Sequence, residues 1–236
     1  MGLKTLFGIK KYQWKKSTNK FVAKTKIVFP KYPWDDFYQI SEYFWRRELS
    51  SLPERAFLFR LSHDLPPNAK IVEIGSWIGE STCLLALGLS GHEAKIYAVD
   101  TFSGEASDSS AKLRYQQRMN KLKTDNTKDI FNKNIAHFGM TPKVTAVVSD
   151  SLTAAKQFCE MPHSIDLLFI DGDHSEEATK KDIIAWLPFV KRGGIAVFHH
   201  FTSNHGVPRA VWWAIQQSCF SELIGVHGTT IAFKVY

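Results

Sequence analysis

The sequence predicts an α/β fold in which a largely parallel sheet is covered by helices on both faces. From residue 68 onward, short apolar segments alternate with longer segments of helical spacing, the pattern of strand–helix–strand units. The apolar segments are nearly continuous rather than alternating, which is typical of strands buried on both faces. Right-handed crossovers between such units make the strands parallel.

We divide the chain into a basic arm with a first helix, residues 1–50, and an α/β domain, residues 51–236. Helical spacing runs through residues 34–52, and a second helix is predicted to begin at Pro53 and to end before Pro66. Two further helices are predicted in "ESTCLLALGLSG" and "DIFNKNIAHFG". The predicted strands are "KIVEIG", "AKIYAVD", "KVTAVVSD", "DLLFID", "GGIAVFHH" and "TTIAFKVY".

Residues 103–141 form a connection longer than a plain crossover. "SGEASDSSA" is predicted to be a loop, and the helix in "DIFNKNIAHFG" is expected to end at Gly139. An insertion between the second and third strands would overhang the carboxyl ends of the sheet. We interpret it as a candidate lid or substrate platform.

The composition indicates a soluble globular protein of the cytoplasm. Of the 236 residues, 44% are hydrophobic and 22% are charged, which is ordinary for such proteins. The three cysteines lack metal-ligand spacing and favour a reducing compartment. No apolar run reaches the length that spans a bilayer, and no apolar signal-peptide core is present.

Positive charge is concentrated in the first 34 residues, which hold nine lysines and no acidic residue, whereas the chain as a whole carries +7. Aromatic residues are interleaved with these lysines. Such an arm suits peripheral contact with an anionic membrane, or contact with nucleic acid. Alternatively, it packs its aromatic rings on the domain or on a second subunit of a homo-oligomer.

A glycine turn follows the first strand in "VEIGSWIGESTCLLA". Gly75 and Gly79 allow a tight turn and bring backbone N–H groups close to a ligand. A pyrophosphate site would call for G-x-G-x-x-G, and Glu73 would repel a phosphate, so a cationic or hydroxylated ligand is favoured. Asp100 ends the next strand, where a carboxylate can accept both ribose hydroxyls. Asp150 ends the following strand.

These features, with "FIDGDHSEEATKKDIIAWLPFVKRGGIAVFHHF", resemble the class I S-adenosylmethionine-dependent methyltransferases over about residues 68–236, and within them a small-molecule O-methyltransferase branch that includes macrocin-type sugar methyltransferases. The resemblance implies a Rossmann-like seven-stranded sheet of order 3-2-1-4-5-7-6 with strand seven antiparallel. It also implies S-adenosylmethionine as cofactor. The residues it places around the cofactor are Glu73, Gly75, Ser76, Gly79 and Ser81 for the methionine and sugar, Asp100 and Thr101 for the ribose, Asp150 and Ser151 for the adenine, and Asp171.

The acceptor chemistry is expected in "DGDHS", directly after a buried strand. Methyl transfer to a hydroxyl needs either a general base or a divalent cation that lowers the hydroxyl pKa. By the resemblance, Asp171 is the metal ligand and His174 the catalytic base. The alternative for His174 is a structural one, beside the helix N-cap with its imidazole bonded to backbone.

The chain departs from the family at His199-His200, where family members have His-Asp with the aspartate as a second magnesium ligand. Adjacent strands lie about 4.8 Å apart, so one of these histidines should lie near Asp171. Imidazole suits zinc, iron or manganese better than magnesium. Three alternatives stay open: a metal held by Asp171 with His200 or His199, a metal-free site with histidine bases, or a site without activity.

The favoured function is therefore O-methylation of a sugar or another small hydroxylated metabolite. A cofactor-binding protein without acceptor chemistry is an alternative. Nucleic-acid methylation is disfavoured, because neither "FIDGDH" nor "FHHF" resembles an aromatic stacking motif for an extruded base. No nucleic-acid partner is expected. A nicotinamide oxidoreductase is disfavoured by Glu73 and by the missing glycine.

Overall fold

A computed structural model describes residues 33–45, 50–91, 93–104, 109–158, 163–203 and 206–236. Residues 34–236 form one compact unit. The expectations for the basic arm fall on residues 1–32 and lie outside the described part of the chain. Among the residues that are described, no helix combines the length and the apolar character needed to cross a bilayer.

From residue 70 onward helices and strands alternate as the sequence predicts, except that two helices follow each other in the insertion and two strands follow each other at the end. The helices are α1 (Trp34–Trp45), α2 (Leu52–His63), α3 (Glu80–Gly88), α4 (Ser109–Leu122), α5 (Lys128–His137), α6 (Ser151–Gln157), α7 (Glu176–Trp186) and α8 (Gly206–Gln216). The strands are β1 (Lys70–Ile74), β2 (Lys95–Asp100), β3 (Val144–Val148), β4 (Ile165–Ile170), β5 (Val190–Phe198), β6 (Phe220–His227) and β7 (Thr230–Val235).

The strands form a single sheet in the order β3-β2-β1-β4-β5-β7-β6. β3, β2, β1, β4 and β5 are parallel, whereas β7 is antiparallel to both β5 and β6. This confirms the order and the antiparallel strand that the resemblance implied. In the register of β4 and β5, Ile170 lies opposite Phe198, so residues 171 and 199 leave adjacent strands at the same edge.

Hydrophobic side chains of the sheet pack on both faces. β4 is buried along its whole length. Leu168 and Ile170 belong to one apolar cluster, with Trp186 of α7, while Leu167 and Phe169 belong to the other, with Phe57 of α2. The alternation along β4 accounts for its continuous apolar sequence, because each face meets a layer of helices.

The insertion holds a helix that the sequence did not predict. α4 begins at Ser109, inside the segment expected to be a loop. Nine of the 14 residues of its sequence, "SSAKLRYQQRMNKL", are polar, and Met119 is its one buried hydrophobic residue among those whose burial is described. With so narrow an apolar stripe, helical periodicity gives little indication of the helix.

Candidate active site

A cavity of about 490 Å³ opens at the carboxyl ends of the parallel strands. Residues that follow β1, β2, β3, β4 and β5 all contribute to its lining, as expected for ligand sites in open α/β sheets. Its size is that of a site for a small molecule or cofactor. The lining includes most of the residues that the sequence singled out: Gly75, Ser76, Ser81, Asp100, Thr101, Asp150, Ser151, Asp171, His174, His199 and His200.

The glycine turn after β1 is pressed against the end of β4. Gly75 has a φ of +86°, and a Cβ placed on it would lie 2.2 Å from the backbone oxygen of Asp171. Only glycine fits both the conformation and the contact. The turn then continues through Trp77, which has a positive φ of 47°, a costly conformation for a bulky side chain. Its ring lines the cavity.

Glu73 lies behind this turn and is fully buried. Its two carboxylate oxygens accept hydrogen bonds from the hydroxyls of Ser81 and Thr82 in the first turn of α3. Burial raises the pKa of Glu73 to about 7, against the opposing effect of those bonds. In the described structure Glu73 links the end of β1 to the first turn of α3 through these bonds. Neither Glu73 nor Gly79 is among the residues that line the cavity.

Asp100, at the end of β2, fixes the backbone on two sides. Its Oδ2 accepts the N–H of Trp77 at 2.7 Å, and its Oδ1 accepts the N–H of Phe102 at 2.6 Å. Burial raises its pKa, and these backbone bonds oppose the shift. Each carboxylate oxygen has a further lone pair, so Asp100 can still accept hydroxyl groups from a ligand.

Three further lining residues are Asp150, Ser151 and Asp182. Asp150 caps α6 by accepting the N–H of Thr153 at 2.9 Å, and this bonding lowers its pKa. Ser151 Oγ accepts the indole N–H of Trp186 at 2.8 Å. Asp182 of α7, which the sequence analysis did not single out, is buried, and burial raises its pKa to about 6.

Three imidazoles surround one oxygen of Asp171. Oδ1 lies 2.9 Å from His199 Nδ1, 3.3 Å from His174 Nε2 and 3.8 Å from His200 Nε2. Burial disfavours the charge on Asp171, but the neighbouring imidazoles, His199 first, hold its pKa well below the usual range. Strands β4 and β5 bring these groups together, since their ends are adjacent in the sheet.

Comparison with known proteins identifies the family. A model of a methyltransferase-domain family matches residues 72–201, more than half of the chain, from within β1 to just beyond the end of β5. The chain belongs to this methyltransferase family. With the seven-stranded fold and the cofactor-type cavity, it is an S-adenosylmethionine-dependent methyltransferase.

Solved structures resemble the methyltransferase in fold. An O-methyltransferase from Bacillus cereus, determined in complex with SAH, has a TM-score of 0.59 at 18% identity, and the match covers 92% of this chain and 96% of that one. The O-methyltransferase NovP has a TM-score of 0.58 at 15% identity over 78% and 80% of the two chains. A methyltransferase from Geobacter sulfurreducens has a TM-score of 0.56 at 13% identity over 92% and 95%.

Glu54 is a site residue of the methyltransferase that the sequence analysis missed. It belongs to α2 and lines the cavity, and its Oε1 lies 3.3 Å from His199 Nε2. The same oxygen accepts the N–H of Thr229 at 2.7 Å, and Oε2 accepts the N–H of Ser51, also at 2.7 Å. Burial opposes its ionisation, yet hydrogen bonds from His199, and then from Ser51 and Thr229, hold the pKa of Glu54 well below its usual range.

His199 is thereby held between two carboxylates. Burial alone would lower its pKa, but Asp171 and Glu54 together raise it to about 10. An imidazole that faces a carboxylate oxygen with each ring nitrogen carries both protons. His200 differs, because burial lowers its pKa to about 4 and its Nδ1 lies 2.9 Å from Ser203 Oγ.

Asp171, His174 and His200 offer one ligand atom each within 4.8 Å of one another. One carboxylate and two imidazoles are a donor set for zinc, iron or manganese rather than for magnesium. His199 is not in this group, and both of its nitrogens already face carboxylates. The group includes His174, which the sequence analysis interpreted as a base and not as a ligand.

The insertion contributes Tyr115 and Arg118 of α4 to the cavity wall. The rings of Tyr115 and Trp77 lie 5.3 Å apart. Gly104 lies under the same helix, near Tyr115 and Met119. Among the described lining residues, Arg118 is the single lysine or arginine. The other ionisable groups of the lining are carboxylates, imidazoles and the phenol of Tyr115.

Proposed function

We propose that the methyltransferase acts on a hydroxyl group of a sugar or another small metabolite, with His174 as the general base. The observation that carries the proposal is the pair formed by His174 and Asp171, 3.3 Å apart at the carboxyl end of β4. The pair faces the cavity that also holds the Gly75 turn and Asp100.

The residues around the cavity fit the methyl donor. Gly75 leaves space where any side chain would clash, and Asp100 keeps lone pairs for two hydroxyls. Carboxylates dominate the ionisable groups of the lining, which favours a cationic ligand over a phosphate. When bound, S-adenosylmethionine supplies an electrophilic methyl group on a sulfonium.

His174 is oriented for proton transfer. With Nε2 facing Asp171, this nitrogen carries the proton of the neutral ring and donates it to the carboxylate. Nδ1 is then the basic nitrogen, and within the described part of the chain no hydrogen bond to it is found. With donor and acceptor bound, an acceptor hydroxyl that donates to Nδ1 would give its proton to His174 as its oxygen forms the bond to the methyl carbon. The methyl–sulfur bond would break in the same step and leave a neutral thioether.

A metal-free site is favoured by the position of His199. A cation bound to Asp171 Oδ1 would share that oxygen with the His199 N–H, 2.9 Å away. The Glu54 carboxylate holds the other side of the ring at 3.3 Å, so His199 cannot turn away without losing a second bond. The alternative is a softer divalent ion held by Asp171, His174 and His200, which would lower the hydroxyl pKa directly.

The proposal is tested by transfer of a labelled methyl group from S-adenosylmethionine to a panel of sugars and other hydroxylated small molecules. We expect an alkali-stable ether product. His174→Ala should reduce turnover about 10²–10⁴-fold with unchanged affinity for S-adenosylhomocysteine, as expected for lost proton transfer. Full turnover in that variant would contradict the base assignment.

Chelation separates the two routes. Turnover that survives dialysis against a strong chelator supports the histidine route. Turnover that is lost, and is restored by manganese or zinc but not by magnesium, supports a metal held by imidazoles. Donor binding without transfer to any hydroxyl in the panel would favour a cofactor-binding protein that lacks acceptor chemistry.

A further inference from the structure

A buried carboxylate at the start of α3 has one oxygen without a partner. Glu80 is 5% exposed and lines the cavity. Its Oε1 lies 2.5 Å from Arg55 Nε and accepts the hydroxyl of Ser50 at 2.9 Å. Its Oε2 is buried, and no hydrogen bond reaches it from the described part of the chain.

This unsatisfied oxygen calls for a donor. A buried acceptor without a hydrogen bond destabilises a protein by about 1–3 kcal/mol, so such a group in a native structure needs an explanation, for example a functional role or a bound water or ion. Glu80 cannot turn Oε2 away without breaking the contacts of Oε1, because Arg55 is itself held by the backbone oxygen of Ser41 at 2.6 Å. The carboxylate is thus held with its second oxygen ready for a ligand.

The position of Glu80 limits what that ligand group can be. Glu80 directly follows the glycine turn after β1, whereas Asp150 follows β3, two strands away in the sheet, and Asp182 belongs to α7. If Asp100 receives the ribose and Asp150 the adenine, the remaining part of the donor to be placed is its amino-acid end. That end carries a primary ammonium group, a three-proton donor that suits a carboxylate.

We propose that Glu80 Oε2 binds the α-ammonium group of the methyl donor, while Arg55 and Ser50 hold the carboxylate in place through Oε1. The inference rests on the cofactor orientation just described. Burial raises the pKa of Glu80 to about 7 against the opposing effect of Arg55, Ser50 and His199, so Arg55 does not fully compensate the buried carboxylate. A cation beside Glu80 favours its ionised form.

Two ligands that differ only in the ammonium group test the proposal by calorimetry: S-adenosylhomocysteine and its analogue without the α-amino group. The wild-type protein should bind S-adenosylhomocysteine at least about ten-fold more tightly, the range of a hydrogen bond between charged groups. Glu80→Gln should weaken S-adenosylhomocysteine about ten-fold and leave the des-amino analogue nearly unchanged. Glu177→Gln, an exposed carboxylate of α7 paired with Lys181, is the matched control and should change neither affinity.

A second measurement needs no variant. Near pH 7, S-adenosylhomocysteine should release protons from the wild-type protein in buffers of different ionisation enthalpy, because the ammonium lowers the pKa of Glu80, and the des-amino analogue should release fewer. Equal affinities of the two ligands for the wild type, or an equal loss of both in Glu80→Gln, would overturn the proposal. Wild-type protein that binds neither ligand would instead contradict the cofactor assignment.

Discussion

The carboxylates of Glu54 and Asp171 are joined by a single imidazole, that of His199, although α2 and β4 lie far apart in the chain. Nε2 lies 3.3 Å from Glu54 and Nδ1 lies 2.9 Å from Asp171. The two negative charges would repel each other across a dry site, and the protonated ring between them removes that repulsion. Asp171 is therefore kept ionised, and the oxygen that faces His199 also lies 3.3 Å from His174 Nε2.

Removing the charge of Glu54 tests the role of this bridge. In Glu54→Gln, the pKa of His199 should fall, because one of the two carboxylates that raise it is gone. Turnover should also fall, because His199, the partner of Asp171, is then no longer held by a second carboxylate. Imidazole nitrogen chemical shifts recorded across pH measure the first effect directly. Glu42→Gln, an exposed residue of α1, is the control, and an unchanged His199 titration in Glu54→Gln would rule out the bridge.

His200→Asp should create a magnesium site. The backbone at His200 is left-handed, with a φ of +58°, and Asp and Asn tolerate that conformation better than most residues. A second carboxylate near Asp171 supplies the oxygen ligands that magnesium prefers. Calorimetric titration should detect magnesium binding in His200→Asp and not in His200→Asn, which has the same shape without the charge. Equal behaviour of the two variants would contradict the expectation.

Asp100→Asn should weaken S-adenosylhomocysteine by about 10–100-fold, the range for hydrogen bonds to a charged group. The amide also directs an N–H₂ group at the N–H of Trp77 or Phe102, both of which now donate to the carboxylate. Calorimetry measures the affinity, with the exposed residue Asp125→Asn as control. Affinity equal to that of the wild type would remove Asp100 from the ribose site.

Asp182→Asn should stabilise the protein above pH 6 and have little effect near pH 4. Burial raises the folded pKa of Asp182 from 3.8 to about 6, so the folded state holds the proton more tightly than the unfolded state does. The free energy of unfolding therefore falls as pH rises between these values, by about 2–3 kcal/mol for a shift of this size. Urea unfolding at pH 4 and pH 7.5 checks this, and a wild-type protein no less stable than the variant at pH 7.5 would contradict it.

The sheet could be predicted from the sequence because its strands are buried on both faces and end in polar residues. Asp100, Asp150 and Asp171 could be placed at one edge for the same reason. Glu54 could not, since its contact with His199 depends on how α2 packs against the sheet, and locally it reads as a helix-capping residue bonded to Ser51. That Glu73 points away from the cavity could not be predicted either, because it depends on hydrogen bonds from the hydroxyls of Ser81 and Thr82.

Chain direction in the last hairpin also decides at which rim of the sheet each end of β7 lies. Because β7 runs against β5, its first residue lies beside the edge of the sheet where the cavity opens, and Ile231 is paired with Phe198. In the turn before β7, the N–H of Thr229 donates a hydrogen bond to Glu54 Oε1. β7 then runs towards the opposite rim of the sheet, where Tyr236 lies. A fluorescent reporter or surface-attachment tag fused after Tyr236 should leave the cavity mouth open, whereas one inserted at Gly228 would obstruct it.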